Sequence, residues 1–280
     1  EIMPSLVGSE MCIRDRFEDA YMRYANARVC PPRPAEKTYR VRGTKEPFYT
    51  LNVIDGIMSV SAVQKVAKQY QASITEYLNA VLLYSLLQKQ EHDFHLRLRP
   101  VRIAMPVNLR RFFPSKTLRN FITMVYPSID PRLGDYTFEE IVTQVHHYMR
   151  YYINSKFLRG DITTNASTQR NPLIRIVPLF LKDFVVRQFY QRVQDKNSSA
   201  GLTNMGAIRV PDDMKPYLER FDIYMGIPYS QRTNCAIVSF EDTLTVNFAS
   251  CIIEADVERR FFQKLVEDGI PVTIESNREL

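Results

Sequence analysis

The chain has 280 residues, of which 45% are hydrophobic, 24% charged and 11% aromatic. This is globular composition, which excludes collagen, coiled coil and intrinsic disorder; the length suits one large domain or two small ones. The net charge of +6, from 37 Lys and Arg against 31 Asp and Glu, is mild and dispersed, and fits a site for an anionic small molecule as well as it fits nucleic acid.

No uncharged apolar run approaches the ~18 residues of a membrane helix, and the best, 77–88, is too short. Cys12, Cys30, Cys235 and Cys251 form no CxxC pair, and with His92, His95, His146 and His147 they make no clustered zinc set. Sparse, unpaired Cys points to a reducing compartment, so a cytoplasmic location is expected.

Taken in chain order, residues 1–16 (EIMPSLVGSEMCIRDR) have neither the basic start and apolar stretch of a signal peptide nor helical periodicity. The string resembles a translated sequencing-adapter artefact, so these residues are expected to form a non-native tail; the alternative is a genuine N-terminal tail. A helix is expected over 17–28, ended by the Cys30-Pro31-Pro32-Arg33-Pro34 linker. The β-branched and aromatic stretch 48–58 reads as a strand. Ser59 opens a helix through Tyr70. Ser73-Ile74-Thr75-Glu76 is a capping box that opens a second, buried helix to about Lys89.

Strands are expected over 101–107 and 121–129, flanking a basic loop at 108–116. Thr137-Phe138-Glu139-Glu140 is a second capping box, opening a helix to about Phe157. A helix interrupted by Pro178 is expected over 171–193. Strands then dominate, at 201–205, 221–227, 234–240 and 243–249, the last two joined by a Glu241-Asp242 turn. An amphipathic helix from Asp256 to Glu267 ends at Gly269, and 271–274 is a last strand. Mixed elements with adjacent late strands imply a layered α/β or α+β domain on a mixed sheet, with no simple βαβ winding.

Several residues invite chemistry and are set aside. On its helix His147 lies opposite the apolar face and His146 at its flank, which makes them a surface and a boundary residue. His92 and His95 follow a helix in a polar connection. Cys235 and Cys251 sit in strands with no His nearby and read as packing residues.

Two stretches stand out. Met105-Pro106-Val107-Asn108-Leu109-Arg110-Arg111, followed by Thr117-Leu118-Arg119-Asn120-Phe121, joins a strand end, a basic loop and a polar pair. It makes a candidate anion-binding rim, or simply a solvated basic loop. Leu202-Thr203-Asn204-Met205-Gly206 places a hydroxyl and an amide at a strand end beside glycine. Such a place can stabilise an oxyanion, or be a polar turn.

Together these stretches resemble the superfamily of CoA-dependent acyltransferases, which includes chloramphenicol acetyltransferase, wax ester synthases and nonribosomal peptide condensation domains. The likeness is to bacterial alcohol acetyltransferase-like proteins. It runs from about Phe17 to the C-terminus: Pro106-Val107-Asn108-Leu109-Arg110, then Ser115-Lys116-Thr117-Leu118-Arg119-Asn120-Phe121, then Thr203-Asn204-Met205-Gly206. The last block departs from the family's SNLG at Thr203 and Met205.

The resemblance implies the C-terminal part of a chloramphenicol acetyltransferase-like fold, with 17–58 a connection and 59–280 a subdomain. It implies acyl transfer from an acyl-CoA co-substrate to an alcohol or amine, with no resident cofactor. Thr203 would donate to the oxyanion and Asn204 would orient the loop or the pantetheine arm. Arg110, Arg111, Arg119, Asn120 and Gly206 would serve CoA or substrate. The family's HHxxxDG base motif is absent: His146-His147 lacks Asp-Gly and follows PVNLR, where the family's motif precedes it. The chain is therefore expected to be an inactive piece, with the base upstream of Phe17. A condensation-type domain using a carrier-protein thioester, or a non-catalytic binding relative, remains as an alternative. A nucleic-acid binder is disfavoured, because the basic residues form no stripe with interleaved aromatics.

Overall fold

Strand β1 (Asn52–Ser59) is the first long element, and Ser59 ends it by becoming the N-cap of α2 (Val60–Gln69), its hydroxyl accepting from the Ala62 amide at 3.3 Å. The structure, a computed structural model, describes residues 19–27, 36–47, 50–93, 97–170, 197–228 and 231–278. The tail at 1–16, the helix expected over 171–193, Cys12, Cys30 and His95 lie outside these residues.

Helix α3 (Ile74–His92) starts at the expected capping box, with the Ser73 amide donating to Glu76 Oε2 at 2.7 Å and the Glu76 amide donating to Ser73 Oγ at 3.3 Å. Tyr77, Leu78, Val81, Leu82 and Leu86 on it are wholly buried. The second box also forms, at the start of α4 (Phe138–Tyr152), where the Thr137 amide donates to Glu140 Oε2 at 2.7 Å. That helix stops short of Phe157. Asn154 intervenes, its Oδ1 accepting from the Lys156 and Phe157 amides at 3.0 and 3.1 Å, and this cap begins α5 (Ser155–Arg170). Near the N-terminus, α1 (Ala20–Tyr24) covers only part of the helix expected over 17–28 and is capped by Asp19.

The single strand expected over 121–129 is two, β3 (Ile122–Val125) and β4 (Ser128–Ile129). Pro127 has no amide for a ladder, and the Tyr126 amide is diverted to the Tyr148 hydroxyl at 3.0 Å. After β2 (Val101–Asn108) come β5 (Ala200–Ala207), the hairpin of β6 (Thr233–Phe240) and β7 (Thr243–Ser250), α6 (Asp256–Glu267) and β8 (Thr273–Ser276). The hairpin turns at Glu241, whose φ is 52°, and α6 ends at Gly269, whose φ of 83° suits glycine.

The strand expected over 221–227 does not form. Its backbone bonds run to side chains of the sheet and not to a neighbouring strand. The Ile223 amide donates to Asn247 Oδ1, the Phe221 carbonyl accepts from Thr245 Oγ1, and the Gly226 carbonyl accepts from Asn234 Nδ2. Side chains stand off the faces of a sheet, so this segment crosses a face and has no place at an edge.

The chain divides into two compact units. The smaller takes the described residues within Glu1–Ala35, Pro106–Val125 and Met149–Gln194; the larger takes those within Glu36–Met105, Tyr126–Tyr148 and Asp195–Leu280. In the smaller unit Tyr21 donates to the Ile122 carbonyl, and its ring meets Phe121 edge-on at 5.3 Å. In the larger unit the strands lie in the order β2-β5-β6-β7-β1-β8, with β4 paired to β2. The β2–β5 and β5–β6 pairs are parallel, and β6–β7, β7–β1 and β1–β8 are antiparallel. This is the mixed sheet with flanking helices expected from the element order.

Helices α2, α3 and α6 belong to one face of that sheet. Phe248 of β7 meets Phe261 and Phe262 of α6 at 5.1 and 5.6 Å, and Gly56 of β1 leaves room for the Phe262 ring, which a β-carbon there would meet at 2.1 Å. The opposite face, termed the polar face, sets Asp55, Asn234, Thr245 and Asn247 among the apolar Ala236, Val238 and Phe240, and carries the segment 221–228, whose Phe221 ring meets Phe240 at 5.4 Å.

Candidate functional site

The candidates on β2 and its loop lie in the smaller unit and those on β5 in the larger, so each set is described by itself. After β2 the chain makes a single 3-10 turn, Leu109–Arg111, capped by Asn108, whose Oδ1 accepts from the Arg110 amide at 3.1 Å. Arg110 turns its guanidinium back onto its own loop. Nη2 donates to the carbonyls of Thr117 and Arg119 at 3.0 and 2.7 Å, and Nε donates to Thr117 at 3.4 Å. Arg110 thus ties the two halves of the basic loop together. Arg111, Arg119 and Asn120 are exposed.

On β5, Thr203 faces Ala236 and Asn204 faces Ile237 across the parallel pair with β6, and the register then slips before Ala207. Asn204 makes that irregularity. Its Oδ1 accepts from the Gly206 amide and its Nδ2 donates to Thr75 Oγ1, both at 2.8 Å. Gly206 sits at φ 76°, in the left-handed region that favours glycine. Asn204, Gly206 and Thr75 therefore form one unit, in which a side-chain amide joins the strand end to the first turn of α3.

Successive strand residues point to opposite faces. Asn204 points towards α3. Thr203 shares its face with Gly201, where a β-carbon would lie 3.0 Å from Asn234 Oδ1 and 3.1 Å from Met225 Cε. The Thr203 hydroxyl is thus on the polar face beside the 221–228 segment. It is half-buried and has no hydrogen-bond partner among the described residues.

Sequence reasoning missed several polar residues near these two. Asn79, one turn beyond Thr75, is wholly buried; its Nδ2 approaches Met105 Sδ at 3.7 Å and its Oδ1 has no partner. Glu76 is buried, and His146 Nδ1 lies 3.4 Å from its Oε2 without hydrogen-bond geometry. On the polar face Asp55 accepts from Asn247 Nδ2 and from the Tyr224 hydroxyl, both at 2.8 Å. Burial holds its carboxyl above the usual carboxylate range despite these two donors. The sequence signal for this network was an acidic residue inside an apolar strand, in Asn52-Val53-Ile54-Asp55-Gly56. Its partners are 169 and 192 residues away, which no local pattern reveals.

Of the residues set aside, His146 and His147 fall where the periodicity placed them, whereas His92 closes α3 and does not follow it, and Cys251 lies just past the end of β7. His146 is half-buried, and His92 and His147 are exposed. Cys235 is wholly buried, and burial pushes its thiol far up, which disfavours the reactive thiolate. Among the described residues no helix is long and apolar enough to cross a membrane.

No family model matches the sequence, and no curated protein matches it. Solved structures do. The nonribosomal peptide synthetase FmoA3 superposes with a TM-score of 0.53 at 11% identity, over 91% of this chain and 24% of that one. The epimerization domain from the third module of tyrocidine synthetase B gives 0.51 at 10% identity, over 89% of this chain and 57% of that one. A wax ester synthase/diacylglycerol acyltransferase from Marinobacter aquaeolei VT8 gives 0.47 at 11% identity, over 89% and 55%. The chain thus spans less than two thirds of the length of each of these solved chains. At these identities the likeness is one of fold alone: the mixed sheet and flanking helices match those of the FmoA3 and tyrocidine synthetase B chains.

Proposed function

We propose that this chain carries part of an acyltransferase site, transferring an acyl group from an acyl-CoA thioester to an alcohol or amine. The observation that carries the reading is the Thr203 hydroxyl, half-buried beside an irregular strand end and without a partner among the described residues. It is supported by the fold and by the ordered PVNLR, RNF and TNMG blocks.

In this reading a base takes the proton of the acceptor O–H or N–H, and the freed lone pair attacks the thioester carbonyl carbon. The carbonyl oxygen becomes an oxyanion, to which Thr203 donates a hydrogen bond. The oxyanion collapses, the C–S bond breaks and the thiolate leaves with a proton. Asn204 and Gly206 hold the strand end that presents Thr203. Arg110 shapes its loop. Arg111 and Asn120, being exposed, and Arg119 beside them would contact the donor or acceptor.

The base is the part that none of the described residues supplies. His146 lacks the Asp-Gly of the family motif and faces Glu76. The chain by itself is therefore inactive, and a partner segment bearing HHxxxDG completes the site. A carrier-protein thioester as donor is the second reading, favoured by the FmoA3 and tyrocidine synthetase likenesses, both to proteins of peptide assembly.

Acceptor-dependent thiol release tests the reading. The chain alone and the chain joined to an HHxxxDG-bearing segment are given acetyl-CoA or an acyl carrier protein, with a panel of alcohols and amines. Release is expected only from the joined protein. Release by the chain alone that is lost on His146→Ala would contradict the missing base, and no release from either with any donor would contradict acyl transfer.

A further inference from the structure

The larger unit gathers arginines at one place that the acyl-transfer reading does not use, although its acidic residues outnumber its basic ones. A cavity of about 380 Å³ is lined by Tyr39, Arg40, Val41, Arg42, Gly43, Arg97, Arg99 and Arg232. Five of these eight residues are arginines, and none is acidic.

The backbones that carry them are pinned. The Tyr39 amide donates to the Pro100 carbonyl at 2.9 Å, and the buried Gln90 side chain holds Arg99 by both its amide and its carbonyl, at 2.8 and 3.0 Å. The Arg232 carbonyl accepts from the Cys251 amide at 3.0 Å, and Lys45 bridges to Ile252 beyond Gly43. Glu254 and Asp93 lie beside the cavity, Glu254 against Gly43, where a β-carbon would meet its Oε2 at 2.4 Å. Glu254 accepts from the Thr44 amide and hydroxyl at 2.7 and 2.8 Å, and Asp93 accepts from the Tyr39 hydroxyl at 2.8 Å and pairs with Lys89 at 3.3 Å. Arg132, which lines the adjoining cavity with Arg97 and Arg99, is paired with Glu36 and Asp130.

We propose that this arginine-lined cavity binds a small phosphate-bearing anion of the pyrophosphate or nucleotide class. Clustered guanidinium groups repel one another, and a multiply charged anion relieves that repulsion. Their planar donor forks match phosphate oxygens two at a time. A volume of about 380 Å³ holds roughly a dozen waters at ~30 Å³ each, which is room for more than a lone phosphate. Single-stranded nucleic acid is disfavoured, because it needs exposed aromatic rings for stacking, and the one ring here, Tyr39, is 2% exposed. The inference is independent of the acyl-transfer reading.

Calorimetric titration of the whole chain with sodium pyrophosphate, and separately with ADP, tests it. Saturable one-to-one binding that weakens with added salt is expected. A tighter fit for ADP would assign a phosphate ester, and equal affinities would assign free pyrophosphate. Losing two charge-assisted forks in Arg42→Gln/Arg99→Gln should weaken binding about tenfold or more, while Lys65→Gln on the exposed side of α2 leaves it unchanged. If the double variant does not fold, Arg97→Gln, at an exposed position, is read in its place. No binding of either probe, binding that the arginine variants leave intact, or tighter arginine-dependent binding of a single-stranded oligonucleotide would overturn the proposal.

Discussion

Asn204 and Arg110 spend their polar groups on backbone, and that decides how each should be tested. Asn204 joins the Gly206 amide to the Thr75 hydroxyl. Asn204→Ala removes both bonds, at about 0.5–1.5 kcal/mol each. The melting midpoint should fall by several degrees, since ~1 kcal/mol shifts it by ~2–4 °C in a chain of this size. An unchanged midpoint would mean that the strand end does not need the link. Arg110 was a candidate for phosphate contact on sequence. The structure shows its donors on Thr117 and Arg119 carbonyls, so Arg110→Gln should loosen the loop, read as faster amide exchange over 115–120. Exchange equal to the parent's would mean that those bonds hold nothing.

At the scale of elements, the sharpest packing constraint is where β1 passes under α6. A β-carbon at Gly56 would meet Phe262 at 2.1 Å and must displace the ring. Overpacking of this kind costs ~1–3 kcal/mol or more, so Gly56→Ala should lower the midpoint, and Gly56→Ala/Phe262→Leu should recover part of the loss. Equal midpoints for parent and Gly56→Ala would mean that the contact yields freely.

This scale also shows what was legible in the sequence. Both capping boxes, the β6–β7 hairpin and α6 with its terminal glycine formed as read, because each signal is complete within a few residues. The strand expected over 221–227 failed because β-propensity reports a half-buried pleated surface and not a ladder partner; its partners proved to be Asn234, Thr245 and Asn247 side chains. Thr203 and Asn204 were visible as a pair, but their assignment to opposite faces, and Asn204's attachment to Thr75, depend on tertiary pairing.

For the whole molecule, buried acids set the response to pH. Glu258 is 2% exposed and accepts from the Thr233 hydroxyl at 2.6 Å, and burial raises its carboxyl above the ordinary range, as it does for Asp55. A raised folded-state value means that the native state holds the proton more tightly than the unfolded chain does. That stability is present at low pH and is lost as pH rises through the folded value. Asp256, Asp242 and Glu254 are lowered and act oppositely, but below their ordinary range. Stability should therefore increase on going from about pH 7 to about pH 5, and Glu258→Gln should flatten that slope. A slope of the opposite sign would contradict the burial of these two acids.

In the proposed reaction the Thr203 hydroxyl meets charge only when the thioester carbonyl becomes an oxyanion. In the chain joined to an HHxxxDG-bearing segment, kcat, KM and the melting midpoint are measured for Thr203→Val on one preparation. Valine keeps the shape and removes the donor, so the expected result is a kcat lower by about 10²- to 10³-fold with KM little changed. A kcat within about threefold of the parent's, together with a lowered midpoint, would make Thr203 a structural residue and contradict the account.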